Sequence, residues 1–472
     1  MTESKRSEAA WQQHSNFTDR LRTALTGSAG TPLVFVGNFE VEDRWAEGEI
    51  GLPKVGLSRG SAVVNRMDEF ALLLGTESDH VVLKAAPDPD YLSYLDGLAI
   101  GLPHILVPER QNPELTVTQD ALRDAGLLDA LAALHGSGAR LIPHGTSVHE
   151  EALAARTGLE LAVPVEAVCK RVNSKVYSRR VADQLQVTRP QGWACGDVSE
   201  LGAARDGVVA LLDQGRSVVA KDAFGVSGKG MVRLTRPSQV DRLLGKITEA
   251  AGRVGTDRVG VVFEEWVEKL TDLNYQFTVD GDGGFHFDFV KEALTDRGVH
   301  QGHRIPARIS EEQHYRIEET ARQLAPVLAG DGYRGVVGVD AMIGSAGQVF
   351  PIVEINARHN MSTYQVRLQE RLFSDGQVAV ARQYTLRLAR PMGFAEVRDR
   401  LSPLLFRGAG DRGLLVNNFA TVNAGATDGS ARPRPVEGRL YGLVVAGEQQ
   451  ELDDIDREVA QRLAAATQEV HV

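Results

Sequence analysis

Val337 to Ile343 and Gln348 to Asn356 are two apolar, β-branched runs joined by Gly344-Ser345-Ala346-Gly347, a link with turn chemistry. The pair reads as a β-hairpin, and a hairpin fixes which side chains share a face. Glu354 and Asn356 are two apart and so point the same way. With Ser345-Ala346-Gly347 as the loop, Gly344 pairs with Gln348 and Asp340 falls opposite Ile352. Asp340 then shares the face of Glu354, one diagonal step away. Two carboxylates and an amide oxygen on one face form a hard oxygen site that suits Mg²⁺, which binds few carboxylates together with phosphate oxygens. The chain has no G-x-x-x-x-G-K-[ST] loop. The hairpin therefore points to magnesium-nucleotide chemistry on a scaffold other than a P-loop.

The rest of the chain is long enough to build that scaffold from several pieces. At about 100–200 residues per domain, 472 residues make two to four domains. A net charge of -11, with no Lys/Arg cluster interleaved with aromatics, excludes a chain-wide nucleic-acid binder. Cys169 and Cys195 give no disulfide framework and no zinc spacing, and read as buried thiols in a reducing cytoplasm. The polar start from Met1 to Phe17 lacks the apolar core of a signal peptide, and no stretch approaches a membrane span. A cytoplasmic protein is expected.

Residues 1–165 alternate short apolar strands (Pro32 to Val36, His80 to Leu83, His104 to Val107) with helical stretches (Asp90 to Ala99, Gln119 to His135), which predicts an open α/β sheet. Residues 166–392 change character. A helix over Ser174 to Leu185 precedes the strands Ser217 to Lys221 and Met231 to Leu234, a helix over Pro237 to Ala251, and the strand Gly260 to Glu264. Strands near Leu273 to Val279 and Phe285 to Val290, a helix over Glu311 to Leu328 and the Asp340 hairpin complete a second, mostly antiparallel α/β unit. Residues 393–472 read as a small C-terminal α/β extension with strands at Gly413 to Val416 and Gly438 to Val445 and a helix over Asp453 to Thr467.

Several groups of residues carry chemistry. Asp222 to Gly230 joins two strands and contains Gly225, Ser227, Gly228, Lys229 and Gly230, a nest whose N–H groups converge on phosphate oxygens. Lys221 ends an apolar strand and needs an anionic partner if buried. Lys175 follows Ser174, an N-cap candidate, at a helix start. Glu264-Glu265-Trp266-Val267 ends another strand, where one carbonyl and one amide can meet a purine edge. Arg358 lies two residues past Asn356, where a guanidinium can hold a carboxylate or a transferring phosphate. His300 and His303 fit a mobile loop better than a zinc site, no H-E-x-x-H occurs, and Gly225-Val226-Ser227-Gly228-Lys229 fails the G-x-S-x-G pattern at its last position.

The order Lys175, Lys221, glycine-rich hairpin, Glu264 to Val267, Asp340, Glu354-x-Asn356-x-Arg358 resembles the ATP-grasp superfamily. Phe35-Val36-Gly37-Asn38-Phe39-Glu40, Val353 to Asn360 and the C-terminal unit are similar to the pheganomycin-type peptide ligases of actinobacterial natural-product clusters. The resemblance implies a pre-ATP-grasp domain over 1–165, an ATP-grasp domain over 166–392 with a lid at about 190–260, and a C-terminal extension. It places Lys175 and Lys221 on ATP phosphates, Glu264 through Val267 on adenine, Mg²⁺ on Asp340, Glu354 and Asn356, and either Glu268 or Asp272 on ribose. The implied reaction joins an amino-acid carboxylate to a peptide amine through an acylphosphate. ATP and Mg²⁺ are the cofactors, Arg358 and Lys221 act on the reacting groups, and a homodimer is allowed. Rival readings are an ATP-grasp enzyme for a non-peptide acid, a kinase, or an ATP-binding protein without turnover.

Overall fold

The computed structural model describes residues 16–53, 62–225, 230–296, 299–427 and 436–468. The first unit is a five-stranded parallel sheet, ordered His104–Leu106, His80–Val82, Leu33–Val36, Arg140–Pro143, Glu160–Leu161. Leu33 to Val36 is buried at every position, as a central parallel strand covered on both faces must be. From that strand the chain winds first to one side and then to the other, which leaves a switch point between Leu33–Val36 and Arg140–Pro143. The loops leaving the carboxyl ends of these two strands open a crevice there.

The second unit is an eight-stranded sheet whose paired strands are all antiparallel. It runs Val349–Asn356, Gly335–Gly344, Lys269–Val279, Phe285–Asp296, Val299–Ile305, Val378–Leu388, Val436–Ala446, Gly413–Asn418. The last two strands come from the C-terminal residues and continue the sheet that carries the hairpin. Two of its strands, Val299–Ile305 and Val378–Leu388, were not among those expected.

The third unit is a four-stranded antiparallel sheet of Gly192–Asp197, Arg258–Glu265, Val218–Asp222 and Met231–Leu234, with the helices Leu201–Asp213 and Pro237–Val254 beside it. Pro237–Val254 buries Val240, Leu243, Leu244, Ile247 and Ala251, the spacing of one helical face. Proline stands in its first turn, and Gly255 closes it with φ +72°. The expected helix from Gln119 to His135 is instead two, Val117–Ala121 and Ala125–Ala133, because the Asp124 side chain accepts from the Leu127 amide and starts the second. Both cysteines are buried and free, and no helix among the described residues is long and apolar enough to cross a membrane.

Candidate active site

The hairpin forms with the turn as expected, and Ile343 pairs with Val349 and Met342 with Phe350. The register then shifts, so that Asp340 pairs with Glu354 and Gly338 with Asn356. Ala341 is matched by Pro351, Ile352 and Val353, two residues in excess, and Pro351 has no N–H to continue the ladder. The expected pairing of Asp340 with Ile352 is therefore wrong by two residues. A shift of two keeps every side chain on its face and brings Asp340 directly opposite Glu354.

Asp340 accepts hydrogen bonds from Asn274 Nδ2 at 2.9 Å and Asn356 Nδ2 at 3.3 Å. Burial pushes its carboxyl up from the ordinary range, with the Asn274 bond opposing. Burial likewise pushes Glu354 up; Lys175 opposes this and Asp340 adds to it. Two raised, neighbouring acids favour a cation, and the buried Oδ1 of Asn274, beside them on the same face, has no hydrogen-bond partner. Among the described residues no three His, Cys, Asp or Glu side chains are grouped to hold a metal. The donor set is thus two carboxylates with amide oxygens, which fits an ion that completes its shell from phosphate and water.

Lys175 sits at the first turn of the helix Lys175–Gln184, whose N-cap is Ser174. Its Nζ reaches Glu354 Oε1 at 2.5 Å and the Gly225 carbonyl at 2.9 Å. Burial pulls its ammonium down, but Glu354 and Glu42 outweigh that and hold it above the usual range. Lys221 Nζ meets Glu264 Oε2 at 2.5 Å. Burial would raise Glu264, yet Lys221 and Arg179 keep it below the ordinary carboxylate range. Gly225 lines the cavity, whereas Ser227, Gly228 and Lys229 lie outside the described residues.

Beyond Glu264 the strand ends. The Glu265 amide donates to Gln191 O and the Trp266 amide to Ser217 O, both at 2.8 Å, so neither is open to a ligand edge. The Val267 amide has no partner among the described residues. The Glu265 carboxylate pairs with Arg216, and Trp266 is 39% exposed with Arg233 over its ring at 4.7 Å. Asp272 accepts from Lys269 at 2.5 Å and from Thr295 at 2.9 Å.

Arg358 does not extend the strand, which stops at Asn356. Its guanidinium is held by Glu42, a residue 316 positions earlier, through Nε at 2.7 Å and through Nη2. Nη2 also donates to Asn356 Oδ1 at 3.1 Å and Nη1 to the His359 carbonyl at 2.8 Å. The anchor is thus Glu42 of the first unit and not Glu354, the nearby acid that sequence distance points to. The two units meet again where the His359 amide donates to the His144 carbonyl at 3.0 Å and His144 Nδ1 lies 2.7 Å from Tyr364 OH.

A cavity of about 330 Å³ opens between these walls, lined among others by Glu40, Glu42, Asp340, Glu354, Asn356 and Arg358. The crevice loop after Leu33–Val36 supplies Phe39 and Glu40, and the loop after Arg140–Pro143 supplies His144. Gly37 allows this turn: a Cβ there would lie 2.6 Å from the Asp68 Cα. His303, expected on a loop, is instead a strand residue that lines the cavity. Sequence reasoning also passed over Asn274 and Glu42, each legible only once its strand or loop is placed against the hairpin.

The parallel first unit, the antiparallel sheet bearing the acid pair and the separate small sheet together define an ATP-grasp fold. Residues 67–159 match the family model described as the pre-ATP-grasp domain. Biotin carboxylase from Campylobacter jejuni, in a β-γ-ATP complex, superposes with a TM-score of 0.50 at 13% identity, covering 89% of each chain. N5-carboxyaminoimidazole ribonucleotide synthetase from Thermus thermophilus gives 0.49 at 14% identity over 92% of this chain and 98% of that one. In sequence, the chain is 24% identical over 325 residues to the [butirosin acyl-carrier protein]–L-glutamate ligase of Niallia circulans, covering 68% of this chain and 71% of that protein.

Proposed function

We propose that this chain is an ATP-dependent carboxylate–amine ligase that joins an amino-acid-type carboxylate to the amine of a peptide, through an acylphosphate, with release of ADP and phosphate. The observation that carries the reading is one cavity wall on which Asp340, Glu354 and Asn356 meet Lys175 on one side and Arg358 on the other. In this reading Asp340, Glu354 and Asn356 hold Mg²⁺, which when bound neutralises the phosphate charge that repels an incoming carboxylate. Lys175 and Lys221 exchange their present carboxylate partners for phosphate oxygens, and Gly225 with Ser227, Gly228 and Lys229 forms the phosphate loop. The hinge from Glu264 to Val267 takes adenine, with the Val267 amide as donor, and Glu268 or Asp272 takes ribose. Arg358, anchored by Glu42, holds a fixed positive charge at the cavity wall for the reacting acid.

Such a site works by positioning and by charge neutralisation, and needs no protein nucleophile. The relative's printed reaction attaches glutamate to a carrier protein. That supports an amino-acid carboxylate as the activated acid and a place in antibiotic biosynthesis. The test is chromatography of the spent nucleotide from purified protein with a panel of amino acids and peptides. ADP and orthophosphate should form only when acid and amine are both present; AMP and pyrophosphate would overturn the acylphosphate route.

A further inference from the structure

The cavity holds an acid that this phosphate chemistry does not use. Glu40 follows the strand Leu33–Val36 at the switch point of the parallel sheet, where open α/β sheets bind their ligands. It is 8% exposed and lines the same cavity as Asp340, Glu354 and Arg358. Three other acids of that lining are engaged: Glu42 by Arg358, Glu354 by Lys175, and Asp340 by Asn274. Among the described residues no side chain hydrogen-bonds to the Glu40 carboxyl. Arg44, whose charge favours its ionised form, is itself paired with Glu47 at 2.5 Å. The same cavity also has apolar lining, from Phe39, Val64, Met67 and Met361, of which Phe39 is the chain neighbour of Glu40 and packs with Met67 and Met361 against one hydrophobic cluster. A buried acid without a cation, in a cavity that it shares with apolar side chains and with the carboxylate pair, suits an ammonium group that carries an apolar side chain.

We propose that this corner is the acceptor subsite, that it takes a peptide with an apolar first residue, and that Glu40 receives the proton of its ammonium. The proposal rests on the ligase reading above. The acceptor arrives as R–NH₃⁺. One proton passes to the Glu40 carboxylate and frees the nitrogen lone pair. That pair attacks the acyl carbon, the C–N bond forms, and the C–O bond to phosphate breaks with its electrons leaving on phosphate. The nitrogen's second proton goes to the departing phosphate, giving the neutral amide and hydrogen phosphate, and Glu40 returns its proton to water.

The protonation energetics agree with the geometry. Burial pushes the Glu40 carboxyl up to about 8, with Glu150 and Asp68 adding to the rise and Arg44 opposing it. A peptide α-amino group titrates at about 7.7–8.0. Donor and acceptor are therefore matched, the condition under which a general base near working pH is most effective.

The experiment compares two amines on Glu40→Gln and wild type with Mg²⁺-ATP and a panel of amino acids. Hydroxylamine is already neutral near pH 7.5 and traps an acylphosphate without help from a base. Leucylglycine, valylglycine and phenylalanylglycine enter as ammonium ions. Glu40→Gln should form hydroxamate at a rate close to wild type and lose on the order of 10²-fold or more in peptide coupling. Glu40→Asp, which keeps an acid on a shorter stem, should recover part of that loss. Equal coupling by Glu40→Gln and wild type overturns the proposal alone, as does equal loss of hydroxamate and coupling in a variant that melts like wild type. Wild type that makes hydroxamate but couples none of the three dipeptides overturns the apolar acceptor subsite. Wild type that forms neither ADP nor hydroxamate with any acid overturns the ligase reading and this one with it.

Discussion

Replacing Glu354 with Gln separates a charge kept for chemistry from one kept for the fold. The variant keeps the shape and removes one of two carboxylates that face each other across the hairpin. Two effects on stability oppose. Lys175 loses a partner at 2.5 Å, and breaking a buried pair from one side costs about 3–5 kcal/mol when the remaining charge stands alone. Lys175 does not stand alone, because Glu42 and Asp340 also act on its charge and the Gly225 carbonyl still accepts from it. Against that loss, burial holds the Glu354 carboxyl above its ordinary range and Asp340 repels it, so the folded state carries this ionised acid at a penalty that Gln removes. The expected net change is within about 1 kcal/mol, a melting shift of roughly 2–4 °C or less. Turnover should fall far more, on the order of 10²–10³-fold, the usual effect of deleting one preorganised electrostatic element. Thermal melting and steady-state ADP release on one preparation check both numbers. A melting point lowered by roughly 10 °C, with near-normal kcat in the folded fraction, would refute the reasoning and make Glu354 a structural ion-pair partner.

Arg358→Lys keeps the charge and loses the fork that now reaches Glu42, Asn356 and His359. It should lower kcat on the order of 10²-fold with the KM for ATP little changed, and an unchanged kcat with a lower melting point would show a structural pair. Mg²⁺-ATP should add hydrogen-exchange protection to the strands Val218–Asp222 and Met231–Leu234 that flank the glycine-rich hairpin, and equal exchange with and without nucleotide would argue against a closing lid. Glu69 is buried and accepts from the Phe419 and Ala420 amides at 2.6 and 2.8 Å. Burial raises its carboxyl to about 7. Below the unfolded value both states are protonated; as pH rises from there through the folded value the unfolded state releases its proton first, so stability is lost across that window. The melting point of Glu69→Gln relative to wild type should therefore climb between about pH 5 and about pH 8, and a flat difference would contradict the shift.

How much of this could be read in the sequence depended on how local each feature is. The buried parallel strands read well because Leu33 to Val36 is a continuous apolar run. The acid face of the hairpin read correctly because side-chain alternation survives a shift of two. The register did not, because the excess residues at Pro351 answer to a missing N–H and not to any periodicity. Val378–Leu388 went unseen since its alanines and its Arg382 and Tyr384 break the apolar alternation; those two polar residues find Asp456 on the terminal helix instead. Arg358 was noticed for its spacing from Asn356, but its direction is set by Glu42, which only the fold brings within reach.

The same long-range contacts join the three units around the cavity. Glu42 with Arg358, His144 with Tyr364, and the His359 amide with the His144 carbonyl tie the parallel unit to the hairpin by buried, charge-assisted or backbone bonds. The small sheet is joined to both. Its Lys221 and Glu264 satisfy each other within the sheet, the Leu52 amide donates to Asp222 Oδ1 and the Gly260 amide to the Ile50 carbonyl, Arg179 reaches Glu264, and Lys175 bridges the Gly225 carbonyl and Glu354. In the proposed reaction a phosphate that takes Lys175 releases Glu354, and a cation that takes Glu354 releases Lys175. Either event alone takes one member of the pair and leaves the other without its nearest partner; both together give each a new one. Nucleotide and cation are therefore expected to arrive as one, at the junction where the small sheet meets the hairpin.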